Sequence, residues 1–358
     1  MSGLRGLGRA LLLFAIRLLF RAAPKPAPKL DPSRIRRVLV VRTDPRVGNV
    51  LLTTPLVRAL RQGLPGARVD WLVAAGKENL VAGLADRILP FQKRDLFRAP
   101  WRFFAFVLAL RREGYDVAID AGHWHAFSFT SLWATRFSGA PVRIGHRRGL
   151  SERFLTHEVE HAVEVEREVP AKLELLRPLG IAAAGEGLDT TVDRDPAARA
   201  LAQQICGAAP AGPLVGLNPG ARKADHRWPP EAFAALAVRL RQEVGATSLV
   251  LWGPGEEELA RAVASASEGA ARLAPPTNLA ALAAVFRHCA LVVTNDTGPM
   301  HLAVACGAPV AAVLLAQDGG RWSHRGRFAG VAVRTASPQD VEKVFEAARW
   351  LLSGAAAA

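Results

Sequence analysis

The residues of this 358-residue chain best placed to do chemistry are Thr294, Asn295, Asp296, Thr297, Gly298, Pro299, Met300 and His301. A short apolar run, Leu291 to Val293, precedes them and reads as a buried strand. Pro299 stands where the first helical residue belongs, a position that loses nothing for want of an N–H. Gly307 is placed to stop that helix, and the apolar run from Val310 to Leu315 reads as the next strand. A strand–turn–helix–strand unit of this kind presents unpaired N–H groups and partial positive charge at the helix start. It is a seat for a phosphate or diphosphate. His301, in the first turn, offers one more donor to the same anion. Asp296 also reads as a cap for its own helix, and the two roles can coexist.

A second unit of the same kind lies upstream. The run Leu214 to Asn218 enters a tight turn at Pro219 and Gly220, and a basic loop follows with Arg222, Lys223, His226 and Arg227. That loop suits an anion, or is simply a solvated surface loop. The strand from Ser248 to Gly253 leads to Glu256 and Glu257, acids in a first helical turn where the dipole favours them; a sugar-hydroxyl contact is the other reading. In the N-terminal half two loops carry the polar groups. Arg42 to Asn49 holds Asp44, Arg46, Gly48 and Asn49; Gly48 permits close approach of backbone to a ligand or a neighbouring strand. The loop Ala121 to Phe127, after Asp120, holds His123 and His125 beside aromatics.

The elements that must position these loops alternate strand and helix. Strands are expected at 38–41, 69–73, 116–120 and near 142–145, and helices at 101–113, 127–137, 196–206, 230–243, 278–288 and 338–353. Such alternation makes an α/β protein with parallel, doubly wound sheets, in which ligands collect at the carboxyl ends of strands. The loops at 42–49 and 122–125 fall at such ends. Half the residues are apolar, enough for two domains of ordinary size. The expected organisation is a helix and spacer at 1–33, a first domain at 34–185, a linker at 186–212, a second domain at 213–337 and a terminal helix at 338–358.

The net charge is +14, and residues 1–46 hold eleven Lys or Arg against two Asp. An excess concentrated at one end favours an anionic partner. Within 4–23, Leu4, Leu7, Leu11, Phe14 and Leu18 share one helical face and Arg5, Arg9, Arg17 and Arg21 spread over the other. The apolar run is short for a membrane span, so an interfacial helix on an anionic membrane surface is expected; a helix packed on the protein's own surface is the alternative. The segment Pro24 to Lys29 reads as a stiff spacer. Nucleic-acid binding is disfavoured, because the positive face alternates with Leu and Phe. Cys206, Cys289 and Cys306 show no metal or redox spacing, and no HExxH-like pattern is present.

Several of these stretches, taken in order, resemble glycosyltransferase family 9, the bacterial heptosyltransferases. They are Val40 to Leu56, Val215 to Gly220, His226 to Pro229, Leu251 to Glu256, and the specific run Thr294 to Ala303. The resemblance spans about residues 35 to 330. It implies the GT-B fold, two Rossmann-like domains facing across a cleft, with the acceptor on the first domain and a nucleotide-sugar donor on the second. It implies inverting transfer from ADP-heptose to a lipopolysaccharide-core glycolipid, with no metal and no cofactor beyond the donor, at the cytoplasmic face of the inner membrane. The terminal helix would pack back across the domain junction. Donor-binding positions carried over are Asn218, Gly220, Lys223, His226, Arg227, Gly253, Glu256, Asn295, Asp296, Thr297, Gly298 and His301. Acceptor-binding positions are Arg46, Gly48, Asp120 and His125.

The implied reaction is a single displacement at the anomeric carbon through an oxocarbenium-like transition state. It needs a base near the acceptor hydroxyl and positive charge or N–H dipoles on the departing diphosphate. The base position of the family is usually Asp and here is Asn49, whose amide cannot accept a proton; His226 stands where the family usually has Lys. Asp44 is the first substitute candidate for the base, also readable as a turn residue before Pro45; Asp120, His123 and His125 are further candidates, each also readable as an acceptor contact or a hydrogen-bonded loop residue. The competing reading is a catalytically weak or silent relative that binds nucleotide sugar or glycolipid. A Rossmann dehydrogenase is disfavoured, since neither half has GxGxxG after its first strand.

Overall fold

A computed structural model describes residues 30–162, 166–207, 212–315 and 319–354. The expected membrane-surface helix at 4–23 and the spacer at 24–29 lie outside the described residues. Six strands form the first sheet: β1 (Arg37–Arg42), β2 (Arg68–Ala74), β3 (Arg87–Phe91), β4 (Val117–Asp120), β5 (Val142–His146) and β6 (His157–Val159). Six more form the second: β7 (Leu214–Asn218), β8 (Thr247–Val250), β9 (Ala271–Leu273), β10 (Leu291–Asn295), β11 (Val310–Leu314) and β12 (Phe328–Ala332). Every pairing is parallel, in the orders β3-β2-β1-β4-β5-β6 and β12-β11-β10-β7-β8-β9. Both orders reverse beside their first strand, between β1 and β4 and between β7 and β10. A crevice opens at such a switch point, and the loops singled out in the sequence follow these four strands. The two halves are the Rossmann-like units of the GT-B architecture.

Twelve helices are found among the described residues: α1 (Val47–Leu51), α2 (Thr54–Gly63), α3 (Asp95–Arg98), α4 (Pro100–Arg112), α5 (Phe129–Phe137), α6 (Glu168–Leu173), α7 (Pro196–Gly207), α8 (Pro230–Val244), α9 (Glu257–Ala266), α10 (Leu279–His288), α11 (Gly298–Ala305) and α12 (Pro338–Leu352). Strand cores such as Val38–Val41 and Leu291–Val293 are fully buried, because helices cover both faces of a parallel sheet. One apolar cluster runs through both domains. It joins Val50 and Leu51 of α1 to Met300 and Leu302 of α11. Full burial of side chains this size is worth about 1.5–3 kcal/mol each, so contact between the first-domain loop and the α11 turn is stabilised by packing.

The connector is pinned at both ends. Thr190 and Thr191 donate to the carbonyls of Leu80 and Ala82 at 2.7 and 2.8 Å, while Asp193 accepts from Arg287 and α7 packs along α10. The terminal helix corrects an expectation. Instead of bridging the junction, α12 packs mainly on α8, β11 and β12. Val341, Val344, Phe345, Ala348 and Leu351 complete the core on one face of the second sheet, and the apolar stripe is used up there. No helix among the described residues is long and apolar enough to cross a membrane.

Candidate active site

Loops after β1, β7, β8 and β10 enclose a cavity of about 460 Å³ between the domains. The first domain contributes Arg46, Val47, Gly48 and Asn49. The second contributes Asn218, Gly220, Arg222, Lys223, His226, Glu256, Asp296, Thr297, Gly298 and His301, together with Leu279 and Trp322. Arg46, Gly48, Asn49 and most of the expected donor positions therefore meet in one place. The seat for an anion is built from α11, whose first turn has no side-chain cap. Thr297 Oγ1 turns back to the Asn295 carbonyl at 3.3 Å. The helix N–H dipoles thus face the same space as the Arg222, Lys223 and His226 side chains, and both favour a diphosphate.

Three expected donor contacts, Asn295, Arg227 and Gly253, do not line the cavity. Buried Asn295 accepts from the Trp228 N–H at 3.1 Å and donates to the Pro219 carbonyl at 2.8 Å, so it ties two loops together behind the cavity. Arg227 donates through Nε to the Ala221 carbonyl at 2.7 Å and shapes the basic loop from within. Gly253 does not line the cavity; its N–H donates to Glu256 Oε2 at 3.1 Å. Glu256 lies so close over Gly220 that a Cβ there would overlap the carboxylate. Glycine at 220 is what lets that acid reach the cavity wall.

The domains touch most closely at Gly48. A Cβ on this residue would overlap His301 Cδ2 and come within 3.1 Å of its Nε2. The other ring nitrogen of His301 lies 2.9 Å from His324 Nε2. Burial, then the nearby His324, pushes the His301 pKa well down, and burial pushes His324 to about 4. At neutral pH His301 is a neutral hydrogen-bonding group at the cavity wall.

On the first-domain side, Asp44 lies two residues before Arg46, the first of the lining residues. Burial alone would raise its pKa, but the Arg46 N–H at 2.9 Å and the Arg42 charge outweigh it and hold the carboxylate ionised. The Asn49 amide electrostatically favours the same anion, although its buried Nδ2 has no partner in hydrogen-bond geometry. The first-domain residues lining the cavity include no acid and no imidazole.

His123, a candidate base, has both ring nitrogens engaged. Arg42 must donate, so Nε2 accepts from it at 2.7 Å, and Nδ1–H therefore donates to Glu168 at 2.6 Å. Burial drives its pKa down to about 4. Glu168 is buried too, and burial raises its pKa, but Lys172 at 2.8 Å and His123 reverse that and keep it ionised. Asp120 is completely buried; it accepts from the Gly122 N–H at 3.0 Å and from the Ser131 hydroxyl, and pairs with buried Arg148. It anchors its own loop and is not available to an acceptor. His125 remains accessible, and burial lowers its pKa.

Sequence spacing pointed to no metal, yet the fold assembles two triples whose ligand atoms lie within 4.8 Å: His123, His125 and Glu168, and His146, His161 and Glu174. In the first, His123 Nε2 is engaged by Arg42 and Glu168 Oε1 by Lys172. In the second, Glu174 accepts from the Ala162 N–H at 3.2 Å and pairs with His161 and Arg177, and burial, then the Lys172 and Arg148 charges, oppose protonation of His146. Glu168 Oε2 and both ring nitrogens of His146 nevertheless stay buried without a hydrogen-bond partner.

The sequence did not signal Trp322. It lines the cavity and stands edge-on to His123, with ring centroids 5.6 Å apart, and to His301 at 6.4 Å. It joins the donor-side wall to the histidine loop.

Comparison with known proteins agrees with this geometry. Residues 103–341 match the model of glycosyltransferase family 9 (heptosyltransferase). The chain belongs to glycosyltransferase family 9. The Arg42–Asn49 loop precedes the matched residues. Lipopolysaccharide heptosyltransferase 1 of Pseudomonas aeruginosa is 29% identical over 291 residues, covering 76% of this chain and 77% of the relative. The structure of the Escherichia coli heptosyltransferase WaaC with ADP superposes with a TM-score of 0.70 at 25% identity, covering 88% of this chain and 99% of that one. A glycosyl transferase family 9 structure from Veillonella parvula has the same fold, with a TM-score of 0.77 at 21% identity, covering 92% and 99%. Family membership makes this chain a glycosyltransferase of the lipopolysaccharide-biosynthesis group.

Proposed function

We propose that the protein transfers heptose from ADP-heptose to a lipopolysaccharide-core or related glycolipid acceptor by a single inverting displacement, at the cytoplasmic face of the inner membrane. The observation that carries this reading is the shared cavity. The uncapped α11 terminus and the Arg222–His226 loop meet Arg46–Asn49 of the other domain across it. The diphosphate sits against α11, Arg222 and Lys223, where dipoles and charge stabilise it as it leaves, so the departing charge is met without a metal or other cofactor. Glu256 takes the ribose hydroxyls. The anomeric carbon then faces Arg46 to Asn49, and Asp44, held ionised two residues before Arg46, takes the acceptor proton. Asn49 orients the hydroxyl through its amide. His123, bonded at both nitrogens, acts as a positioning residue for Arg42.

The test is heptose transfer from ADP-heptose to a heptose-free lipopolysaccharide core, together with ADP affinity. Asp44→Ala is expected to lose transfer by roughly the 10²–10⁴-fold typical of a general base while keeping ADP affinity. Asn49→Asp is expected to raise transfer. A binding protein without turnover is the second reading, favoured by the missing acid on the first-domain wall. ADP binding with no transfer by either the wild type or Asn49→Asp would decide for it.

A further inference from the structure

Helix α4 has two apolar faces, and the fold explains only one. Phe103 and Leu110 point inward and join the cluster that covers Leu39 and Val41 of β1, with Phe106 and Val107 packed beside them. Phe103 stacks on Trp133 at 4.6 Å and meets Phe91 edge-on. On the opposite side Trp101 is 68% exposed, Phe104 70% and Leu108 48%. These three are the large hydrophobic side chains that stand exposed among the described residues. Their spacing of three and four residues places them on one stripe. A stripe holding a Trp, a Phe and a Leu costs solubility unless something covers it.

The surroundings say what covers it. Lys93, Arg94 and Arg98 lead into the helix, Arg102 flanks the stripe and Arg111 and Arg112 close it, and all six are exposed. The acids within the same stretch are Asp95 and, just beyond, Glu113, and Glu113 is committed to Arg68 and Arg87 at 2.6 and 2.8 Å. An aromatic and aliphatic stripe bordered by unspent guanidinium groups is the pattern of an interfacial helix on an anionic bilayer. The apolar side chains enter the acyl boundary and the cations meet the headgroups. Trp101 opens the stripe, and a Trp ring settles at the headgroup level of a bilayer.

We propose that α4 is a membrane-docking face of the first domain, with Trp101, Phe104 and Leu108 inserted into an anionic lipid surface and Arg98, Arg102, Arg111 and Arg112 on its headgroups. This face is separate from residues 4–23 in the chain and does not depend on the transferase reading. It belongs to the domain the resemblance assigns to the acceptor. Docking through α4 would present that domain to a lipid-borne substrate directly, whatever the N-terminal segment does.

The test uses the full chain and vesicles of phosphatidylethanolamine and phosphatidylglycerol at 3:1, some with brominated acyl chains. Brominated lipid is expected to quench a tryptophan component that Trp101→Phe removes. Phe104→Ser with Leu108→Ser is expected to weaken vesicle binding by on the order of tenfold per side chain. Vesicles of phosphatidylcholine alone should bind distinctly less well. Melting temperature checks that the variants fold, as expected for side chains that touch solvent. Equal quenching in wild type and Trp101→Phe would overturn the proposal. So would a dimer, seen by light scattering without lipid, that the Phe104→Ser and Leu108→Ser variant dissolves, because the stripe would then be covered by a second copy.

Discussion

Replacing Gly48 by Ala perturbs the point where the two domains meet. The new methyl would overlap His301 Cδ2 and lie 3.1 Å from Nε2 and 3.3 Å from Cγ, against an ordinary carbon contact of about 3.5–4.0 Å. The imidazole has little room to yield. It is 5% exposed, bonded to His324 at 2.9 Å and faced by Trp322. The backbone of α1 cannot retreat freely either, since Gly48, Asn49, Val50 and Leu51 are all buried. Overpacking of this kind costs about 1–3 kcal/mol, which corresponds to a fall in melting temperature on the order of 5 °C. Part of the strain will be relieved by the domains moving apart at the α1–α11 contact, which widens the cavity. A displacement of about 1 Å between donor and acceptor groups can cost on the order of 10²-fold in rate. The assay is therefore a double-mutant cycle with His301→Ala, read by melting temperature and by transfer from ADP-heptose. Removing the ring should restore at least half of the stability lost in Gly48→Ala, giving a coupling above about 0.5 kcal/mol. If the two substitutions add within about 0.5 kcal/mol, the close approach of Gly48 to His301 is not a feature of the folded protein and the interdomain cavity argument fails.

Three further outcomes are expected. Lys223→Ala and Arg222→Ala should each weaken ADP binding about tenfold, the scale of a charge-assisted contact, with the effect shrinking in high salt; calorimetry at two ionic strengths measures it, and a salt-independent loss would point to refolding of the loop. Asp120→Asn leaves the buried Arg148 charge uncompensated and should cost about 3–5 kcal/mol of stability, measured by denaturant unfolding; full stability with lost transfer would instead place Asp120 at the acceptor. Acid should destabilise the protein in a window set by its buried histidines. Burial lowers His123 and His324 to about 4 and His146 to about 3, so below pH ~6.5 the unfolded chain takes up protons that the native state refuses. The stability present above pH ~6.5 is then lost as pH falls toward 4, at about 1.4 kcal/mol per pH unit for each histidine. Stability that stays flat from pH 6.5 to 4.5 and drops only below would assign acid unfolding to the carboxylates instead.

Much of this molecule was legible along the chain. Strands such as Val38–Val41 and Leu291–Val293 are continuous apolar runs because both faces of a parallel sheet are covered. The helices at 100–112, 230–244 and 298–305 carry Pro in their first turn, and Gly245 and Gly307 follow two of them. These are local rules that need no partner. The strands that sequence reading passed over are β3, β6, β9 and β12. All lie toward sheet margins, where β3 carries Pro90 and β12 buries only Phe328, so the uninterrupted apolar signal is absent. The N-terminal loop that reads as one helix entry breaks into α1 and α2 at Leu52 and Thr53.

The sequence by itself determined which loops would gather at the strand ends, and the run Thr294–His301 marked the anion seat. Only the tertiary structure decided which polar groups in those loops remain free for a ligand. Asn295, Asp120 and His123 have the right chemistry and the right neighbourhood, yet each is consumed by a partner that the chain places 28 to 81 residues away. Trp322 joins the cavity from a stretch outside the motifs read from the sequence, and α12 spends its apolar stripe on its own sheet rather than across the junction. A helix start depends on a few consecutive residues. A buried hydrogen bond goes to whichever donor or acceptor folding brings within about 3 Å, and the linear order of the residues does not encode that distance.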